Sequence, residues 1–406
     1  MREPVSADAR QTLPQGPEPI ATDQAGIMQI LRAAVQEGAS DLHFKAGEPV
    51  LLRIKGSLLP LKVARLTPEA TCKIFDLLRP RHLAHVSSAE VHELDFSFAL
   101  SGTGRFRVNT FRQRGSLALV IRVIPNRIPD FKELSLPPVM PKLADERRGL
   151  ILVTGTTGSG KSTTLAAIIN HINHTRTAHV VTIEDPIEFL FLNKKSSVAQ
   201  REIGVDTATF ATALRAVLRQ DPDVIMIGEL RDTETIDIAL KAAETGHLVI
   251  STAHTTDAAK TVQRILAVFG PSEQAMMRMR LAESLRAVVS QRLLPRLDGK
   301  GLVPAIEVMV ATRVIQECIR DEARTHEITD FVSKGRHYGM QTFDQHLLQL
   351  LQEGLISKEV ALSAASSPAD LDLQIRVGGA TDEMTIERAD YGSMSDDDFA
   401  ASRGVG

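Results

Sequence analysis

The sequence predicts an α+β domain followed by an α/β domain whose parallel sheet is covered by helices. Three observations carry that expectation. Helical and strand periodicities are intermixed over residues 25–125, strand and helix alternate regularly over residues 146–270, and a glycine-rich turn, GTTGSGKS, joins the first strand of the second region to its first helix. A chain of 406 residues is long enough for two such cores.

Residues 1–24 carry Pro, Gln, Asp and Ala without periodicity. They offer too little apolar surface to offset ordering entropy, and a disordered arm is expected. Ile27, Ile30, Leu31, Ala34 and Val35 then recur at helical spacing, and Gly38 closes the helix. DLHFKAG and VLLRIKGSLLPL read as extended, the second folding back at Lys55-Gly56. Thr67 as N-cap with Pro68 at the first helical position opens a second helix through Leu78. ELDFSFAL, RFRVNTF and SLALVIRVI add three strands to this first domain.

Pro125, Pro129, Pro137, Pro138 and Pro141 mark a linker over residues 126–145. After it come GLILVTG, a helix from Ser162, AHVVTI, a helix near TFATALRAVLRQ, DVIMIGE, a helix from Thr235, HLVIST and a helix from Asp257. Residues 271–375 are expected to be mostly helical, with one strand-like run, LVPAIEVMV. Residues 376–406, with DEM and SDDD and little apolar content, are expected to form a disordered acidic tail.

Composition narrows the chemistry. A formal net charge of -3 and an aromatic content of 4% give neither a global pull toward nucleic acid nor many stacking platforms for bases, although local basic patches stay open. Cys72 and Cys318 form no C-x-x-C pair, which suggests a reducing cytosol rather than a zinc knuckle or a disulfide framework. No apolar run approaches the ~18 to 20 residues of a membrane helix, and the first residues lack the apolar stretch of a secretory signal. A cytoplasmic protein is expected.

Gly155, Thr156, Thr157, Gly158, Ser159, Gly160, Lys161, Ser162 and Thr163 follow an apolar strand and enter a helix, the context that gives G-x-x-x-x-G-K-[ST] its meaning. Glycines let backbone N–H groups wrap a β-phosphate, and the helix N-terminus adds partial positive charge. Lys161 is expected to reach the β- and γ-phosphates and the Ser162 hydroxyl to bind Mg²⁺, so ATP and Mg²⁺ are the implied ligands.

Three carboxylates, Glu184, Asp185 and Glu188, crowd TIEDPIE at the end of an expected strand of the same sheet. Like charges this close need a cation opposite, which Mg²⁺ and Lys161 supply. One of the three could orient or deprotonate the attacking water. The structural alternatives are that Glu184 caps the next turn and that Glu188 is a surface residue. Glu229 follows the buried strand VIMI and Gly228, where many P-loop enzymes place Asp, and is the best single carboxylate for the metal-water shell. His254 emerges past the strand HLVIST and could contact the γ-phosphate or be a satisfied structural histidine. His247 precedes that strand and reads as structural or as a subunit contact.

Arg122 stands alone on an otherwise apolar strand, and Arg107 lies on the facing part of what would be one hairpin. Guanidinium groups stay charged and need an anion. Either ATP held by a neighbouring domain or subunit, or an internal pair with Glu93 or Asp95, would serve.

These loops in this order resemble the secretion ATPase superfamily. TIEDPIE is similar to its aspartate box, DPDVIMIGELRD to its Walker B segment and TGHLVISTAHTTDAAKT to its histidine box, and the likeness extends over residues 26 to about 375, from GASDLHF to GMQTFDQHL. Within it the chain most resembles the PilT/PilU family of type IV pilus retraction ATPases. The resemblance implies a PAS-like first domain, a RecA-like P-loop NTPase core with a helical C-terminal region, and a homohexameric ring with ATP between subunits. It further implies that Arg107 and Arg122 are the family's two first-domain arginines and that His254 is its phosphate-contacting histidine. The implied partners are an inner-membrane pilus platform protein and, as a further candidate, a paralogous retraction ATPase.

SQRLLPRLDGKGLVPAIEV lacks the four-cysteine zinc insert usual in the assembly and secretion branches, which favours retraction. The retraction motif resembling AIRNLIRE reads VIQECIRD, keeping Ile315, Ile319 and Arg320 but not the central Arg-Asn-Leu. That departure leaves open a motor acting alone and one acting with a paralogue. A nucleic-acid translocase and a non-catalytic ring partner on the same core are the readings from other classes.

Overall fold

A computed structural model describes residues 23–125 and 127–377. The expected disordered arm up to residue 22 and nearly all of the expected acidic tail lie outside the described residues, and Asp23 and Gln24, expected in the arm, instead cap and open the first helix. The chain divides into two units: Met1–Ile128 with Glu184–Asn193 and Arg201–Thr207, and the remainder from Pro129 onward.

The first unit is built on a six-stranded antiparallel sheet. Its strands are β1 (Ala39–Lys45), β2 (Leu51–Ile54), β3 (Ser57–Pro60), β4 (Glu93–Leu100), β5 (Gly104–Gln113) and β6 (Ser116–Ile124), in the order β3-β2-β1-β6-β5-β4. Helices α1 (Gln24–Gln36) and α2 (Pro68–Leu78) supply Ile27, Leu31, Ile74 and Phe75 to a core shared with Phe44, Phe106 and Ile121 of the sheet. Local chemistry fixes the punctuation as expected. The Thr67 hydroxyl accepts the Ala70 N–H and Pro68 occupies the first turn of α2. Lys55 and Gly56, both at positive φ, close the β2–β3 hairpin in the manner that two-residue turns require.

The second unit holds a seven-stranded sheet in the order β13-β12-β7-β11-β10-β8-β9. Its strands are β7 (Gly149–Thr154), β8 (His179–Glu184), β9 (Ser197–Glu202), β10 (Val224–Ile227), β11 (Leu248–Ala253), β12 (Leu285–Pro295) and β13 (Leu302–Val310). The run β12-β7-β11-β10-β8 is parallel, and only β13 turns back, antiparallel to β12. Helices α4 (Lys161–Thr175), α5 (Phe210–Val217), α6 (Thr233–Glu244) and α7 (Ala258–Ala267) connect the parallel strands. Every residue of β7, β10 and β11 is buried, as strands covered on both faces must be.

Two further expectations need correction, and one strand carried no expectation. Residues 271–375 are less helical than expected, because LRAVVSQRLLP is β12, an eleven-residue strand that begins directly after α8 (Pro271–Ser284). Its apolar residues fit both helical and extended spacing. Pairing with β7 on one side and β13 on the other decides for the strand. The edge strand β9, SVAQRE, is short and polar and carries no periodic signal. The second half of the linker is folded: α3 (Met140–Ala144) buries Met140 and Leu143, and Arg176 donates to the carbonyls of Ala144 and Glu146 at 3.3 and 2.9 Å.

Two buried groups, Glu307 on β13 and His346 in the helical region that follows it, have strongly displaced titrations. Burial pushes the Glu307 carboxyl on β13 up to about 7, although it accepts the Ala258 N–H at 2.8 Å. Burial pushes His346 down to about 4, and its Nδ1 accepts the Ile306 N–H at 2.9 Å. Their effects on stability oppose each other. Glu307 stabilises most below pH ~4.5, and that stabilisation is lost as pH rises through 7, because the folded carboxyl keeps a proton the unfolded chain has released. For His346, stability present above pH ~6.5 is lost as pH falls toward 4, because only the unfolded imidazole takes the proton. Glu307→Gln is therefore expected to gain on the parent protein between pH 5 and pH 8 by an amount on the order of 3 kcal/mol. Thermal unfolding across that range measures it, and a pH-independent difference would refute the assignment.

Candidate phosphate-binding site

The parallel strands deliver their carboxyl ends to one edge of the sheet. Thr154, the last residue of β7, is in register with Ala253, the last of β11, so Gly155 and His254 leave the sheet at the same level. Ile227 at the end of β10 is in register with Ser251 of β11 and Ile183 of β8. Hydroxyls tie the neighbours together: Ser251 Oγ donates to the Ile227 carbonyl at 2.7 Å and Thr252 Oγ1 to the Gly228 carbonyl at 2.6 Å. Crevices at such edges are where open α/β sheets bind ligands.

Residues 155–160 form the turn from β7 into α4. Gly155 is required by close approach as well as by φ, and Gly160 by its φ with a tight side-chain neighbour. A Cβ on Gly155 (φ 146°) would stand 2.4 Å from the Gln291 carbonyl oxygen, and one on Gly160 (φ 88°) would stand 3.1 Å from Gln291 Nε2. Thr156, Thr157 and Gly158 form the exposed crest, whereas Ser159 and Lys161 are buried and Ser162 and Thr163 are half-buried in the first turn of α4. Lys161 Nζ donates to the carbonyls of Gly155 at 3.0 Å and Thr156 at 2.9 Å, which holds its charge over the loop. The helix N-terminus and this ammonium together make an anion site.

Glu229, after Gly228, is 14% exposed. Its Oε2 lies 2.5 Å from Arg231 Nε and 3.4 Å from His254 Nε2, which is half exposed. The structure thus brings Glu229 and His254 together as a carboxylate–imidazole pair. It adds Arg231, which the sequence reading passed over although GELRD places it two residues from Glu229. His247 Nδ1 lies 2.9 Å from the Ala242 carbonyl, which fits the structural reading.

In the first unit, Glu184 is buried and Asp185 and Glu188 are exposed. Glu184 Oε2 accepts the Glu188 N–H at 3.4 Å, so the turn-capping alternative has a geometric basis. The same segment is pinned by buried Glu202, whose Oε2 accepts the Ile187 N–H at 3.1 Å and pairs with Arg105 at 2.7 Å. Arg107 and Arg122 are directly opposed across the β5–β6 ladder, as the hairpin expectation required. The internal-pair alternative is corrected in its partner: Arg122 Nε binds Asp41 Oδ1 on β1 at 2.9 Å, not Glu93 or Asp95. Burial would raise the Asp41 carboxyl, but hydrogen bonds from Arg122 and Ser40 outweigh it and hold the group below its ordinary range. Arg122 is still 69% exposed, and Arg107 is exposed with no ion pair among the described residues.

A further feature had no sequence signal. Beside the phosphate loop a cavity of about 260 Å³ is lined by Leu134, Leu136, Gly160, Thr163, Leu293 and Pro304, mostly apolar walls next to a charged loop. Two of these residues come from the linker and two from the β12–β13 hairpin, parts of the chain that become neighbours only in the fold.

Comparison with known proteins identifies the family and the fold. The family described as type II/IV secretion system protein matches residues 18–318. The type IV pilus retraction ATPase PilT of Pseudomonas aeruginosa is 44% identical over 343 residues, covering 84% of this chain and 98% of that protein. The type IV pilus ATPase PilU of the same organism is 40% identical over 379 residues, covering 92% and 98%. A crystal structure of the pilus retraction motor PilT with bound ADP superposes with a TM-score of 0.77 at 45% identity, covering 85% of this chain and 98% of that one. The α/β architecture is thus that of the RecA-like secretion ATPases.

Proposed function

The chain belongs to the type II/IV secretion system protein family, and from that premise we propose that it is the ATP-hydrolysing motor of type IV pilus retraction, the activity behind twitching motility. It is a P-loop ATPase. The observation that carries the reading is the convergence of the Lys161 loop, Glu229 and His254 on one edge of a sheet that superposes on a retraction motor.

In this reading the loop N–H groups and Lys161 hold the β- and γ-phosphates, and the apolar cavity beside Gly160 takes the base. Among the described residues no group of three or more His, Cys, Asp or Glu side chains is arranged to hold a metal. A donor set of one hydroxyl, Ser162, and one carboxylate, Glu229, suits Mg²⁺, which is usually completed by phosphate oxygens and water. Bound there, Mg²⁺ would neutralise charge developing on the phosphates. Glu229 would orient the metal-water shell, with Arg231 giving way, and His254 would bind the γ-phosphate. Glu188 is our first choice to direct the attacking water, with Glu184 and Asp185 shaping its turn. Arg107 and Arg122 would be supplied by another subunit of a homohexamer, since contacts between different patches of identical subunits close into rings.

No helix among the described residues is long and apolar enough to cross a membrane. Work would reach the pilus through an inner-membrane platform protein, placing the motor peripherally at the cytoplasmic face. Deleting the gene tests this: surface pili should accumulate while surface motility stops, and loss of pili would indicate assembly instead. A second reading, an accessory PilU-like motor, is favoured by VIQECIRD and by the longer span of the PilU match. Expression in a strain lacking its paralogue separates the two, because only a self-sufficient motor restores motility.

A further inference from the structure

We propose that Gln291 of β12 is a positioning residue for the phosphate loop, setting which way its backbone N–H groups face. The inference rests on the reading that this loop binds nucleotide phosphate. Gln291 is 2% exposed, and its Nε2 donates to the Ser159 carbonyl at 2.6 Å. The Gln291 carbonyl itself fills the space a Cβ on Gly155 would need. One residue earlier, Ser290 Oγ accepts from Thr154 Oγ1 at 2.9 Å, so β12 braces the loop at its entry and again at its exit.

The consequence follows from peptide geometry. In a planar trans peptide the C=O and the N–H point in opposite directions. Fixing the Ser159 carbonyl on Gln291 therefore turns the Gly160 N–H away from β12, and it removes an acceptor that would otherwise repel an anion in the cradle. Only a donor does this. A carboxylate at position 291 would oppose acceptor to acceptor and add negative charge beside the phosphates.

Packing alone does not account for an amide here. Gln291 Oε1 is buried without a hydrogen-bond partner, and so is Ser159 Oγ beside it. Orphaned buried polar atoms destabilise a fold; an apolar side chain of similar size would remove the Oε1 orphan but leave the Ser159 carbonyl without its Nε2 donor. The amide is therefore tied to this position by its bond to the loop and not by the packing of the core.

Gln291→Leu and Gln291→Met separate the two roles, with ADP as the binding probe and ATP turnover as the kinetic one, both in the full chain. Thermal unfolding without nucleotide should stay close to that of the parent, because removing the Oε1 orphan offsets the lost donor to Ser159. ADP affinity should fall about tenfold, and the KM for ATP should rise more than kcat falls, as expected when a hydrogen bond that shapes a binding surface is lost. Gln291→Glu should lose more. Parent-like ADP affinity and KM in a folded Leu or Met variant would overturn the proposal. So would an affinity loss that merely tracks a lowered unfolding temperature. If the parent itself fails to bind ADP, the phosphate-site reading falls first, and this inference with it.

Discussion

Lys161→Ala is expected to remove ATP turnover almost completely, lowering kcat/KM by at least roughly 10² to 10³, the scale on which single charge-stabilising donors act in water-excluded sites. The loop's neutral donors remain in such a variant, yet they cannot replace a full charge against a triphosphate. The lysine is buried and held to two carbonyls of its own loop, so some local rearrangement is expected too. The discriminating comparison is Glu229→Gln. It keeps the lysine and should still bind nucleotide while failing to turn it over, because the carboxamide cannot orient the metal-water shell. Measuring nucleotide binding and steady-state hydrolysis on both variants checks this pair of outcomes. If Lys161→Ala hydrolysed ATP at more than a tenth of the parent rate, the loop would not be the catalytic cradle.

Much of this was legible before any coordinates, for identifiable reasons. The phosphate loop is a contiguous motif whose glycines are dictated by local φ and close approach, so eight consecutive residues announce it. The parallel strands are continuous apolar runs because both faces are covered, and helices such as α2 declare themselves through caps. What stayed hidden is long-range. The brace of Gln291 on Ser159 spans 132 positions, and Arg105 reaches Glu202 across 97. Nothing near either residue encodes its partner. The Arg122 pair shows the same limit: the charge imbalance on β6 was evident, but Asp41 became its partner only because β1 lies between β2 and β6 in the sheet order. Strand β12 was missed for a different reason. Local periodicity is ambiguous for a short apolar run, and a partner on each side resolved it.

The arginines supply the second large effect. Arg107 is exposed on β5 and makes no ion pair among the described residues, while Arg122 across the ladder spends Nε on Asp41 and keeps its terminal nitrogens free of hydrogen bonds there. Arg107 thus carries an unpaired charge directly opposite a second guanidinium, an arrangement that a visiting anion would stabilise, since like charges directly opposed destabilise a sheet. If that anion is the γ-phosphate of ATP, Arg107→Ala should slow hydrolysis by roughly 10³, the lower part of the range for an arginine supplied to a phosphoryl-transfer site. Whether the arginine acts within its own chain or on a neighbour is decided by mixing. Arg107→Ala subunits retain Lys161, and Lys161→Ala subunits retain Arg107, so each is inactive alone. In randomly mixed rings about a quarter of interfaces would pair an intact lysine with an intact arginine if the two come from different subunits, and turnover would recover accordingly. If both come from one chain, mixing restores nothing. Recovery would also require subunits to exchange, which labelled protein can verify in the same preparation. No recovery despite proven exchange would remove the arginines from the neighbour's active site, and with them the coupling of hydrolysis to movement between subunits.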